Sequence, residues 1–153
     1  MKRSYVAKIK IRNVELGYSK LEDGTFIISR VAIVDVRPIQ VRSPFGVEFE
    51  VSFTTGISAH PSKEALNLLK EKGVLMPGET PPNHWKQLEI KEKKPAVEEV
   101  EFNDPELGKY IIRVEIEPLM ASVNVEKKNI RGEPIYVVRW SPKVSWRRFK
   151  NDD

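Results

Sequence analysis

A chain of 153 residues with no cysteine, two histidines and a formal net charge of +4 is long enough to bury a core without a metal or a disulfide. The lack of thiols excludes disulfides, thiolate catalysis and cysteine-ligated zinc. No apolar run is long enough for a membrane helix, and the basic start, Met1 to Lys10, leads into no secretory core. The expectation is one globular β-rich domain over 1–153, cytoplasmic and without a membrane partner. Seventeen Glu, five Asp, two Gln and many Lys and Arg fit a heat-adapted composition.

Valine and isoleucine number thirty, against fifteen for leucine and alanine together. β-Branched side chains suit the pleated sheet. The first strand is predicted over about Tyr5 to Leu16, with Tyr5, Ala7, Ile9 and Ile11 on one face. The apolar set then shifts to Val14 and Leu16, and that phase change at Asn13 predicts a β-bulge. An Asp23-Gly24 turn precedes Phe26 to Val36, apolar on both faces and hence a central strand that Arg37-Pro38 ends or bends. Val47, Phe49, Val51 and Phe53 then alternate with Glu48, Glu50 and Ser52, the signature of a strand with one buried face.

One helix is predicted near 61–72, with Pro61 in its first turn, Ala65, Leu66, Leu68 and Leu69 on its apolar side and Gly73 as its stop. A loop rich in proline, Met76 to Asn83, follows. Short strands are expected near 86–92 and 97–103, a pair of strands over 109–127, and a hairpin at Asn129 to Pro134 that opens the last strand. The fold class is therefore mainly β (α+β), with eight or nine short antiparallel strands in a barrel or sandwich. The order strand, strand, strand, helix, strand, strand over about residues 5–103 resembles that of OB-fold barrels.

Catalytic signatures are missing. His60 precedes a proline and reads as a residue at the helix start, and His84 reads as a loop residue. There is no phosphate loop and no nucleophile elbow, so a protein that is not an enzyme, with no cofactor and no metal, is expected. Asp35 lies within an apolar run and is expected to pair with Arg37. Glu115 and Glu117, and the Glu98, Glu99 and Glu101 cluster, read as solvent-facing acids.

The basic residues make the functional case. Residues 1–43 carry a net +5, residues 44–138 a net −4 and residues 139–153 a net +3. Lys8, Lys10 and Arg12 share one face of the first strand, with Glu48 and Glu50 as the expected cross-strand partners. In the last strand Tyr136, Val138, Trp140, Pro142, Val144 and Trp146 fall on one face, so both tryptophans are expected largely in the core. Arg139, Lys143 and Arg147 form a stripe on the other face, and Arg148, Phe149 and Lys150 a free tip. Pro142 suits an edge strand because it lacks an N–H. The first expectation is low-specificity DNA or RNA binding through Lys8, Lys10, Arg12, Arg139, Lys143, Arg147, Arg148 and Phe149, with Trp85 as a further stacking candidate. The alternative is an assembly module, a homo-oligomer or accessory subunit, that meets itself or another protein through an edge strand.

Overall fold

The computed structural model describes residues 9–149. Lys8, Lys150 and the start of the first predicted strand lie outside that range. Ten strands and one helix follow in order: β1 Ile9–Glu15, β2 Gly17–Leu21, β3 Phe26–Ser43, β4 Gly46–His60, α1 Lys63–Leu68, β5 Gly73–Val74, β6 Trp85–Leu88, β7 Ile90–Lys94, β8 Ala96–Asp104, β9 Gly108–Lys128 and β10 Pro134–Arg148. They form two sheets in a sandwich-like arrangement. The larger runs β1-β8-β9-β10, with β5 and β6 also on β9, and the smaller runs β4-β3-β2-β7. No closed barrel is formed, so the OB-like closure that the strand order suggested is not supported.

Two bent strands join the sheets. β1 pairs antiparallel with β8, and β2, which continues β1 after Leu16, pairs antiparallel with β7, which continues into β8 through Pro95. One antiparallel ribbon thus folds over a corner and serves both sheets. Gly17 makes the corner possible. A Cβ there would stand 2.5 Å from Ala96 N and 2.6 Å from Lys94 O. The bulge predicted at Asn13 is present, because Ile11 opposes Val100 and Asn13 opposes Glu99, which leaves Arg12 as the extra residue.

The main core gathers Val31, Ile33 and Val36 of β3, Val47 and Phe49 of β4, and Val100, Phe102, Tyr110, Ile112, Val114 and Ile116 of the larger sheet. A second cluster, Leu21, Ile27, Leu88, Ala121, Val123 and Tyr136, fills the other end. Four expectations are corrected. The predicted strand pair over 109–127 is one strand, β9, whose pairing with β10 shifts between Arg139 and Trp140. The inward set thereby changes from Ile112, Val114 and Ile116 to Ala121 and Val123, and Leu119 is left exposed. Of the end or bend expected at Arg37-Pro38 there is no end: β3 extends past Val36 to Ser43, through register shifts at Ile33/Asp35, Pro38/Gln40 and Gln40/Ser43. The helix is shorter than 61–72, six residues capped by Ser62, whose Oγ accepts from Ala65 N at 3.1 Å. Glu98 is not on a solvent face. It is 2% exposed, points inward with Ala96 and Val100, and accepts the Ile33 N–H at 2.8 Å, at the point where the β3 bulge breaks the ladder.

A polar knot fixes the helix to both sheets. Thr25 N–H donates to Asp23 Oδ1, Tyr136 O–H reaches Asp23 Oδ2 at 3.1 Å, and Thr25 Oγ1 lies 2.7 Å from the Tyr136 hydroxyl. Ser62 Oγ donates to Asp23 O at 2.6 Å. Burial, with the Asp23 charge adding to it, pushes the Tyr136 phenol well above its ordinary value.

Candidate functional site

The basic residues lie on the outer face of the larger sheet, but not as a continuous stripe. Cross-strand register sets Lys10, Glu101, Ile111 and Arg147 in one row, and Glu15, Val97, Glu115 and Lys143 in another. The partners expected for the β1 cations, Glu48 and Glu50, belong to the other sheet. Glu101 of β8 stands opposite Lys10 instead. Lys143 Nζ sits 2.9 Å from Glu117 Oε2 and 3.8 Å from Glu115 Oε2, while Lys93 reaches Glu117 at 3.2 Å. The hydrogen bonds from Lys143 and Lys93 hold the Glu117 carboxyl below its ordinary value, and Glu117 in turn raises Lys143. Arg113 bridges Glu99 at 3.0 Å and Glu115 at 3.4 Å. The middle of the face is thus a charge lattice, and it takes in Lys143 of the predicted stripe.

One corner is more basic. The Arg12 guanidinium carbon lies 5.3 Å from the centre of the Phe149 ring, and Lys109 Nζ lies 5.9 Å from it. The Phe149 N–H donates to Lys109 O at 2.8 Å. Phe149 is therefore not a free tip. It is half-buried and held by the ladder, with Lys10 and Arg147 in the adjoining row. Arg148 points to the opposite face, where its guanidinium stands beside Gly108. Lys109 was not singled out in the sequence, although its alternation with Tyr110 and Ile112 places it on this outer face.

The other candidate chemistry resolves into structure. Asp35 Oδ2 accepts from Arg37 Nε at 2.6 Å, as expected. His84 Nδ1 stands 2.6 Å from Glu126 Oε1. His60 ends β4 opposite Phe26, and no cluster of three or more potential metal ligands occurs among the described residues. Trp85 is half-buried on β6, opposite Asn124. No described helix is long and apolar enough to cross a membrane.

The feature that sequence reasoning missed is a seam. β4 and β10 are edge strands of different sheets, and no backbone pairing joins them. At one end Phe49 packs edge-on against Trp146, ring centres 5.4 Å apart. At the other, Ala59 and Val138 pack on the second core cluster. Between these closures Val51, Phe53, Thr55 and Ile57 of β4 face the core side, as do Trp140, Pro142 and Val144 of β10. Yet Ile57 remains 42% and Val144 39% exposed, because no strand among the described residues covers them. Trp140 and Trp146 do turn inward, half-buried against the main core.

Among the described residues, no strand pairs with the outer edge of β10. Since Phe149 N–H bonds to β9, alternation turns the N–H groups of Trp140, Val144, Trp146 and Arg148 away from it, and Pro142 interrupts that row of donors. No family model, no curated protein and no solved structure matches this chain.

Proposed function

We propose that this protein is an assembly module that accepts an extended, apolar segment of a protein along the β4–β10 seam. The observation that carries the reading is the pair of unpaired edge strands flanking exposed apolar side chains that already face the core. An added strand gains main-chain hydrogen bonds from the edge and buries alternate side chains between the sheets. Pro142 sets where pairing along β10 is interrupted and so favours one register. The test is fluorescence anisotropy with a labelled peptide that alternates valine and threonine. Saturable binding is expected, and Val144→Asp abolishes it while leaving the circular dichroism spectrum unchanged. Failure of such peptides to bind the wild type overturns the reading.

A second reading, low-specificity DNA or RNA binding, is favoured by the Phe149 corner, where Lys10, Arg12, Lys109 and Arg147 gather. Cations there contact phosphates with little sequence discrimination. It predicts salt-sensitive binding to a single-stranded oligonucleotide, reduced at least tenfold when Lys10, Arg12 and Lys109 are changed together to Ser. Equal affinity of wild type and triple variant at low salt counts against it. Lys143 contributes little to either arm of that test, because Glu115 and Glu117 already hold it.

A further inference from the structure

The β3–β4 hairpin runs past the core as an arm. From Arg37 to Gly46 no residue is buried, and Ile39 is 63%, Val41 57% and Phe45 80% exposed. Ile39 and Val41 sit two apart on extended backbone, the spacing that an apolar strand needs to place side chains in a cleft. Arm and seam are continuous, since β4 supplies both one side of the arm and one wall of the seam, and the arm departs at the end that Phe49 and Trp146 close. Glu48 and Glu50 at its base form no ion pair among the described residues, while Arg148 ends β10 at the same end of the molecule.

Resting on the assembly reading, we propose that the occupant of the seam is the arm of a second copy of this chain. A two-fold axis near the Phe49 end lays each arm along the other copy's seam. It brings Glu48 and Glu50 of one copy toward Arg148 of the other. The exchange is reciprocal and isologous, so it closes at a dimer and does not continue as a fibre. It buries Phe45, the most exposed large apolar side chain among the described residues, together with Ile39 and Val41, against the part of the core that the seam leaves open.

Size-exclusion chromatography with light scattering tests this on the full chain. The wild type is expected to be a dimer that dissociates on dilution. The triple variant Ile39→Ser, Val41→Ser, Phe45→Ser is expected to be a monomer whose melting temperature matches that of the wild type once the latter is diluted to its monomer, because none of the three side chains packs in the core of its own chain. A second measurement uses the absence of native cysteine. The double variant Phe45→Cys, Val144→Cys, oxidised under native conditions, is expected to run as a covalent dimer on a denaturing gel, whereas either single variant at the same concentration does so much more weakly. A wild type that stays monomeric at its highest soluble concentration overturns the proposal, as does a triple variant that remains dimeric. A monomeric wild type that still binds the valine–threonine peptide overturns arm exchange alone, whereas loss of both results removes strand acceptance as well.

Discussion

Glu98 shows how one side chain compensates a local defect in the backbone. β2 pairs with β3 only as far as Ser29, and beyond it the Ile33 N–H, next to the register shift, donates to Glu98, which reaches across from the facing sheet to supply the acceptor. Buried donors left without a partner cost about 1–3 kcal/mol. Glu98→Ala is therefore expected to lose about that much stability in urea unfolding, and Glu98→Gln, which keeps a carbonyl at the same place, to recover most of it. Equal losses for both variants count against this assignment. Sequence alternation held the signal, because Glu98 shares its phase with Val100 and Phe102, but its neighbours Glu99 and Glu101 made the run look uniformly solvated. Residue-scale electrostatics give a second expectation. Glu117 has its pKa lowered by Lys143 and Lys93, so its contribution is present at neutral pH and is lost as pH falls through the depressed value. Lys143 has its pKa raised, so its share is present below the ordinary lysine pKa and fades only as strongly alkaline pH passes the raised one. Lys143→Met should flatten the acid limb of the stability–pH curve below about pH 4.5 relative to wild type, measured by thermal melts.

Elements were legible where the signal was local. The bulge in β1 was visible because the apolar phase changes at Asn13, and the Asp35–Arg37 pair because two residues on a strand share a face. The span of β9 was not, because its pairing with β10 shifts just past Pro118 and one strand imitates two. Length of α1 was misjudged for a related reason. The pattern from Lys63 to Lys72 is amphipathic, but after Leu68 the chain closes tighter turns, with Lys70 N–H on Asn67 O and Lys72 N–H on Leu69 O. The bent ribbon carries the strongest prediction at this scale. Gly17→Ala drives a methyl into the backbone of Lys94, Pro95 and Ala96, atoms that have no rotamer to give way. A loss of at least about 2 kcal/mol is expected, with a lowered melting temperature. Gly56→Ala, at a position with nothing within 4 Å of the added carbon, serves as the control and should change stability much less.

At the scale of the molecule, the fold is a sandwich sealed along one side by the shared ribbon and left unlatched along the other. That asymmetry was out of reach of the sequence, because which strands become edges depends on pairings between distant segments: Ile11 meets Val100, and Lys20 meets Glu92. The same distance scrambled the charge reading. Lys10 and Arg147 share a row, which the sequence alone did not determine, but β8 and β9 carry Glu99, Glu101, Glu115 and Glu117 between the basic strands. Trp140 and Trp146 line the seam, so they report on it. Dilution of the wild type through dissociation, or addition of a strand peptide, is expected to shift tryptophan emission, and Trp85→Phe should leave that shift intact. An emission spectrum insensitive to both would disconnect the seam from association.

The shared ribbon also imposes a timetable on synthesis. β3 and β4 are adjacent in the chain and can pair as soon as they leave the ribosome, whereas β1 must wait for β8. At ordinary elongation rates that wait is roughly 5–20 s. For about the second half of it, once β4 is complete at His60, the nascent chain carries an apolar hairpin with no second sheet to cover its inner face, and neighbouring nascent chains on one message carry the same hairpin. If like chains do pair, the order in which the strands appear gives their hairpins time to meet before β8 is made, with β1 the last of the first half to find its place.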